Sequence, residues 1–453
     1  MDLLAALRSR QLTHQPELRL TACHLTEFPP EILDLADSLE FLNLSDNQIS
    51  RLPDDVGRLK KLRIAFFNNN QFEEFPEVLA QCPNLAMVSF KGNRLQTVAE
   101  TALSPTLRWL ILTNNQLEVL PKSIGRLERL QKLMLAGNRL RSLPPELAHC
   151  ANLELVRLAA NQLTAFPDFL LDLPRLSWIA LAGNPFCEAI AASRPAQVLP
   201  TLPWDQVEFG DVLGQGASGV IYKGRLKSPI SAAIPTREVA VKLFKGEMTS
   251  DGSPLDEMQT CMAAGTHAHL ITAIAQVTHA PNNQAGLVLP FVPDDYTNLG
   301  GPPSLESCTR DTYPADKRFP IATVVEIARG IAVAIAHLHQ NGILHGDLYA
   351  HNILVNPQGH ARIGDFGAAS VYDPSDPTRG PGLERLESRA FGCLLEDLLD
   401  RGVVASEAEA QTAKNLQRLQ ADCMQPSSRL RPSFSRIGEI LDAIAPTGDE
   451  QAR

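Results

Sequence analysis

Apolar positions in the first part of the chain recur in a long period that is neither helical nor strand-like by itself. Asn47, Asn70, Asn93, Asn115, Asn138, Asn161 and Asn184 follow one another every 22 or 23 residues. Around each stands the same frame: SLEFLNLSDNQISRLP (38–53), TLRWLILTNNQLEVLP (106–121), RLQKLMLAGNRLRSLP (129–144) and NLELVRLAANQLTAFP (152–167) align residue for residue. A period of this length marks stacked units that bury a shared core. Alternating leucines in each frame predict a short strand with its leucines inward. The Asn at the following bend can bind backbone groups there, so these asparagines are read as structural. A weaker first copy, LRLTACHLTEFP (18–29), carries Cys23 in place of the Asn and is expected beside an N-terminal helical cap.

The pattern LxxLxLxxNxLxxLP resembles the leucine-rich repeat family over about residues 15–187. The resemblance implies an α/β solenoid, a horseshoe whose concave face carries the outward positions between the leucines. One such column reads Phe41, Ile64, Met87, Trp109, Lys132, Leu155, Trp178, and the next Asn43, Phe66, Ser89, Ile111, Met134, Arg157, Ala180. A solvated face is normally more polar, so a protein substrate or regulator is expected on it. The alternative is that part of this face packs against the chain's own second domain.

The repeat stops after Pro185. Residues 188–203, with Pro195, Pro200 and Pro203, read as a linker between a repeat domain (1–187) and a second domain (204–445), with 446–453 as a tail. The second domain opens with FGDVLGQGASGVIYKG (209–224), an apolar strand running into Gly214, Gly216 and Gly219. Glycines there let a backbone close over phosphates. A dinucleotide-binding loop uses the same letters but needs a helix directly after them; Val220, Ile221 and Tyr222 favour a strand instead. EVAVKLF (238–244) alternates as a strand and presents Lys242. An acidic partner for this lysine is expected in Glu257, on the helix of PLDEMQTCMAAG, with Glu247 as the rival.

Farther on, HGDLYAHNIL (345–354) and IGDFG (363–367) set Asp347, Asn352 and Asp365 five and thirteen residues apart. Phosphoryl transfer needs a carboxylate to orient the attacking hydroxyl and oxygen ligands to hold Mg²⁺ against the phosphates. Glycine loop, VAVK, acidic helix, HGD with its Asn, DFG and a late RPSF (431–434) occur in the order of the protein kinase catalytic domain, which the second half resembles. The resemblance implies an α+β bilobal fold with ATP and Mg²⁺ between the lobes. Leu213 and Ile221 would roof the adenine, which the Pro290 carbonyl and the Val292 N–H would bind. Gly214, Gly216, Gly219 and Lys242 would hold the phosphates. Asp347 would orient the hydroxyl and accept its proton, and Asn352 and Asp365 would hold the metal. The implied activity is transfer of the γ-phosphoryl group to a protein hydroxyl, with Ser/Thr as the first expectation.

The match departs from the family in two places. Gly346 replaces the Arg that in many kinases pairs with a phosphate on the activation loop, so Ser370, Tyr372, Ser375 and Thr378 read as ordinary loop hydroxyls. Tyr349 and His351 stand where serine/threonine and tyrosine kinases respectively place Lys or Arg. The APE triplet is missing, and the helix ESRAFGCLLEDLL (387–399) starts twenty residues after Gly367. Glu384 or Glu387 is the expected substitute partner for Arg431. Two other readings stay open: a kinase-like scaffold with little turnover, and a small-molecule phosphotransferase of the HGDxxxxN type.

Composition adds boundaries. With 453 residues the chain exceeds one ordinary core, and its net charge of −10 argues against nucleic acid as a partner. No apolar run approaches the length of a membrane span, IAVAIAHLH (331–339) being the nearest, and the N-terminus lacks a basic secretory signal. Eight scattered cysteines without a CxxC pair are expected as reduced thiols in a cytoplasmic protein.

Overall fold

The structure is a computed structural model that describes residues 3–12, 14–194, 199–230, 237–246 and 248–444. Glu247, weighed as a rival partner for Lys242, lies outside the described residues, as do Pro195 and the tail at 446–453. The chain divides into two compact units. The first is Met1–Leu176 with Asn184–Phe186; the second is Ser177–Gly183 with Cys187–Arg453.

The first unit opens with the short helix α1 (Leu3–Arg8), the cap expected before the first repeat. Seven strands of three residues each follow: β1 (Glu17–Arg19), β2 (Phe41–Asn43), β3 (Ile64–Phe66), β4 (Met87–Ser89), β5 (Trp109–Ile111), β6 (Lys132–Met134) and β7 (Leu155–Arg157). They pair in parallel and in sequence order, with equivalent repeat positions side by side. The Pro that ends each LP step precedes a five- or six-residue 3₁₀ turn, such as Asp54–Arg58 after Pro53 and Lys122–Arg126 after Pro121. Its fixed φ suits that start.

The asparagines do the work their chemistry predicts. Asn47 Nδ2 donates to the carbonyls of Leu20, Leu44 and Ser45 at 2.8, 3.0 and 3.1 Å, while its Oδ1 accepts from the N–H groups of Cys23 and Leu25. Asn70, Asn93, Asn115, Asn138, Asn161 and Asn184 repeat this bridge to the preceding repeat. Cys82 and Cys150, at matching repeat positions, are buried, and burial pushes each thiol up to about 11.

The outward columns are more enclosed than a free apolar face. Phe41, Met87, Lys132, Leu155 and Arg157 are buried, whereas Ile64, Phe66, Trp109, Ile111 and Met134 are half-buried. In-register parallel strands stack these side chains on one another. Phe41 meets Phe66 edge to face at 5.5 Å, and the Lys132 ammonium lies 4.3 Å from the Trp109 ring centre.

The second unit begins inside the last repeat, at the strand β8 (Trp178–Ala180), and resumes at Cys187 within helix α2 (Pro185–Ala192), before strand β9 (Thr201–Pro203). The stretch read as a linker, 188–203, therefore holds the rest of a helix and a sheet strand. Of its described prolines, Pro200 directly precedes β9 and Pro203 ends it. β10 (Val207–Gln215), β11 (Gly219–Leu226), β12 (Glu238–Phe244), β13 (Ala275–Thr278) and β14 (Gly286–Pro290) complete a sheet of order β10-β11-β12-β14-β13-β9. In this sheet β9 runs parallel to β13 and the other pairings are antiparallel.

Alternation in EVAVKLF sends Val239, Val241 and Leu243 into a core with Leu202, Val207, Leu226, Val277 and Val288. Lys242 consequently projects from the other face. Helix α3 (Pro254–Ala263) starts with Ser253 capping the Leu255 N–H, Pro254 at its first position and Asp256 and Glu257 in its first turn, all favourable at a helix N-terminus.

The larger lobe is helical, built from α4 (Ile321–Gln340), α5 (Arg379–Leu399), α6 (Glu407–Cys423) and α7 (Phe434–Ile444). α4 is by length and composition able to cross a membrane, which corrects the expectation that no run approaches that length; most of its apolar window is buried inside the protein, as in a core helix.

Candidate active site

The glycine loop links β10 to β11. Gly216 N–H donates to the Gly219 carbonyl at 2.9 Å, and the Lys245 ammonium donates to the Gly216 carbonyl at 3.1 Å. The three glycines differ in purpose. A Cβ on Gly214 or Gly216 would meet nothing within 4 Å, so these two face open space; a Cβ on Gly219 would sit 2.3 Å from the Leu243 carbonyl. Gly219 is thus needed for the close approach of β11 to β12.

Lys242 lies opposite Ile221 on β11 and Leu287 on β14. Its ammonium is hydrogen-bonded to Glu257 of α3. Glu257 is buried; burial pushes its carboxyl up, Lys242 pulls it down, and the negative charge of Asp365 pushes it up again. Lys242, Glu257 and Asp365 therefore share one electrostatic neighbourhood. Leu213, on the bulged strand β10, stands half exposed, Ile221, Pro290 and Val292 are half-buried, and Leu289 beside Pro290 is buried.

Across the cleft, the loop 345–352 is pinned at nearly every residue. Asn352 Nδ2 donates to the Asp347 carboxylate (2.8 Å) and to the Asp347 carbonyl (3.0 Å), which leaves the Asn352 Oδ1 as the acceptor it can offer. His345 Nε2 lies 3.0 Å from the Gly364 carbonyl, and the Gly364 N–H donates to the Asn352 carbonyl at 3.0 Å. Asp365 is exposed and sits at φ +60°, with its Oδ1 accepting from the Gly367 N–H at 3.1 Å. A non-glycine residue at positive φ is costly and persists where surroundings over-determine it.

Two carboxylates here escaped the sequence. Asp311 accepts from the Ala350 N–H and pairs with His351 Nδ1 at 2.7 Å. Burial would lower the His351 pKa, but Asp311, with Asp347 and Asp365 beyond it, outweighs burial and raises it. Glu387 accepts from the Gly346 N–H and meets His339 Nε2, both at 2.6 Å. Only a fold could reveal either one, since no motif places them near the loop.

Gly346 itself sits at φ +73°, and a Cβ there would lie 2.4 Å from the Ile179 carbonyl and 2.6 Å from the Ala368 carbonyl. No side chain fits, so the missing Arg is a matter of space. The expected partners of Arg431 are also corrected. Arg431 donates to the carbonyls of Arg385, Gln425 and Pro426; Glu387 is committed to Gly346 and His339, and Glu384 to the Tyr372 hydroxyl. The helix after DFG begins at Arg379, earlier than the sequence suggests.

The donor set suits a nucleotide with a hard divalent ion. Such an ion takes one or two protein oxygens and completes its shell with phosphates and water. Among the described residues no group of three or more His, Cys, Asp or Glu forms an all-protein metal cage; Asp365 and the Asn352 Oδ1 are the oxygens that would hold such an ion.

Fold and site together define a two-lobed phosphotransferase-type domain that follows a repeat solenoid in the sequence. Residues 207–386 match the family of protein tyrosine and serine/threonine kinases, and residues 83–140, 128–186 and 38–59 match leucine rich repeat families. The chain carries leucine-rich repeats followed by a domain of the protein kinase family. Among curated proteins it is similar to a probable LIM domain-containing serine/threonine-protein kinase of Dictyostelium discoideum, 27% identical over 296 residues, covering 56% of this chain and 41% of that one. It is similar also to cyclin-dependent kinase 11.1 of Caenorhabditis elegans (28% identical; 38% and 22% covered) and to ephrin type-B receptor 1-A of Xenopus laevis (30%; 38% and 16%). The chain thus spans less than half the length of these relatives. A solved leucine-rich-repeat protein of Leptospira interrogans aligns at 25% identity and a TM-score of 0.36, over 40% of this chain and 52% of its own.

Proposed function

We propose that this chain transfers the γ-phosphoryl group of ATP to a protein hydroxyl, Ser or Thr in the first instance, with its repeats recruiting a protein substrate or regulator. One observation carries the reading: Lys242 is hydrogen-bonded to Glu257, Asn352 to Asp347, and the charge of Asp365 is felt both by Glu257 and by His351 beside Asp347. Phosphoryl transfer leaves little covalent chemistry to the protein, so positioning and charge stabilisation are what such a cleft supplies.

In this reading Lys242, fixed by Glu257, holds the α- and β-phosphates, and Gly214, Gly216 and Gly219 let the loop backbone close over them without a side-chain clash. The adenine lies between Leu213 and Ile221, against the Pro290 carbonyl and the Val292 N–H. Asn352 and Asp365 would hold Mg²⁺, whose charge bridges the phosphates when bound. Asp347, its carboxylate steadied by the Asn352 amide, orients the incoming hydroxyl and takes its proton. Ile64, Phe66, Trp109 and Ile111, half-buried on the strand face, offer the apolar contacts for a protein partner. All eight cysteines are free thiols, which favours a cytoplasmic setting.

The test is purified protein with labelled ATP, Mg²⁺ and a generic protein substrate, alongside Asp347→Asn. Wild type alone should label the substrate; the variant should lose on the order of 10²–10⁴-fold in rate with ATP affinity and fold retained. Equal labelling by both proteins removes Asp347 from the mechanism. ATP binding without any protein labelling favours the scaffold or small-molecule reading.

A further inference from the structure

The second unit contains one strand that belongs to the repeat pattern, β8, and that strand lies on the loop carrying Asp347 and Asn352. Trp178 is 2% exposed. Its ring stacks on Tyr349 with centres 4.4 Å apart and planes 7° from parallel, and its indole N–H donates to the Leu348 carbonyl at 3.0 Å. Leu348 and Tyr349 are the two residues directly after Asp347. The next residue in the strand, Ile179, places its carbonyl where a Cβ on Gly346 would be, so the strand touches the loop on both sides of Asp347. Farther along, the N–H groups of Leu181 and Ala182 donate to Ser370 Oγ at 2.9 and 3.1 Å, which ties the strand to the segment after the DFG triplet. Ser370 is fully buried, so it serves as an anchor, out of reach of modification. Arg194, past α2, closes the same region by donating to the carbonyls of Asn341, Gly342 and Tyr372.

A tryptophan could be buried here for packing alone. Three features go beyond packing. The stack is parallel, the indole N–H is spent on a loop carbonyl, and a glycine at positive φ is retained in the loop to admit the strand's backbone. The first two fix the loop's position through the Trp178 ring, which a generic apolar side chain would not do, and the third holds the strand's backbone against the loop.

We propose that Trp178 is a positioning residue for phosphoryl transfer, its strand acting as a permanent brace that sets the height and tilt of the loop bearing Asp347 and Asn352. The proposal deepens the kinase reading and rests on it for its catalytic consequence, though the brace itself is a matter of geometry. A displacement of about 1 Å in a catalytic group can cost about 10²-fold in rate without touching substrate affinity. Removing the brace should therefore strike kcat and spare the ATP KM.

The experiment compares wild type, Trp178→Ala, Trp178→Phe and Ser370→Ala in two measurements on the full chain: steady-state phosphorylation, and amide hydrogen exchange across 345–352 and 368–372. Trp178→Ala should lower kcat by about 10–100-fold, leave the ATP KM within about threefold, and speed exchange in both segments. Trp178→Phe, which keeps a ring to stack but lacks the N–H, should recover part of both. Ser370→Ala should speed exchange at 368–372 and lower kcat less, and it keeps the test alive if the Trp178→Ala protein does not fold. Unchanged exchange at 345–352 in both Trp178 variants, or unchanged kcat in folded Trp178→Ala beside an active wild type, overturns the brace. An inactive wild type whose loop nonetheless loosens in Trp178→Ala would sink the kinase reading and leave the brace standing.

Discussion

Gly346 shows how one residue can look like a defect in a sequence and be a requirement in a fold. Read against a kinase motif, it is a lost arginine; in space, it is the one residue type that admits the Ile179 and Ala368 carbonyls at φ +73°. Gly346→Ala should destabilise the second unit by about 1–3 kcal/mol from the left-handed backbone alone, and further from the clash, as read by denaturant unfolding. An unchanged midpoint and slope would mean that the loop can shift away from β8 freely. The contrast with Lys242 is instructive. Its pairing with Glu257 was legible because both halves of the pair are carried by local patterns: an alternating strand, and a helix start with Ser253, Pro254 and an acidic first turn. Asp311 and Glu387 were not legible, because only long-range folding brings them to backbone N–H groups of the catalytic loop.

At the scale of elements, the segment between DFG and α5 is short but not loose. Its buried hydroxyls are committed, Ser370 to β8 and Tyr372 to Glu384, while Ser375 turns back on Asp373 at 2.7 Å and the Thr378 N–H is held by Asp376. Short local bonds of this kind order the segment without added charge. The double variant Ser375→Ala, Thr378→Ala should keep turnover within about twofold, as surface substitutions usually do; a collapse of activity would show that modification there is needed after all. The helix after DFG starts at Arg379 and not at 387: Gly380, Pro381 and Gly382 lie in the first turn of α5, where Pro381 needs no N–H partner and the Gly380 and Gly382 N–H groups donate to the Asp376 and Thr378 carbonyls.

For the molecule as a whole, two kinds of order are joined in one chain. The repeats are one-dimensional: each Asn ties its own turn to the one before, so stability is held between neighbours. Asn138→Ala removes one of two amide donors from each of the Leu112 and Leu135 carbonyls, which keep Asn115 and Asn161, and leaves the buried Leu117 N–H without its acceptor, at a cost of about 1–3 kcal/mol. Hydrogen exchange should rise in the repeats flanking Asn138 and fall off with distance along the first unit; a uniform rise through that unit would contradict nearest-neighbour stabilisation. This architecture was legible in full from period and Asn spacing. What the columns of apolar letters on its outward face do not reveal is that Phe41 and Phe66, or Lys132 and Trp109, cover one another.

The assignment of Ser177–Gly183 to the second unit bears on how such a protein can be taken apart. The family match begins at residue 207, and a gene fragment cut there would look whole by every motif. It would nonetheless lack Trp178, Ile179 and Arg194, leaving Tyr349 without the indole stacked on it and the Leu348 carbonyl without the indole N–H. The portable piece of this chain is therefore longer than its signature. A lineage that shuffled the catalytic half without the end of the last repeat would inherit every recognisable letter of the enzyme along with a slack catalytic loop.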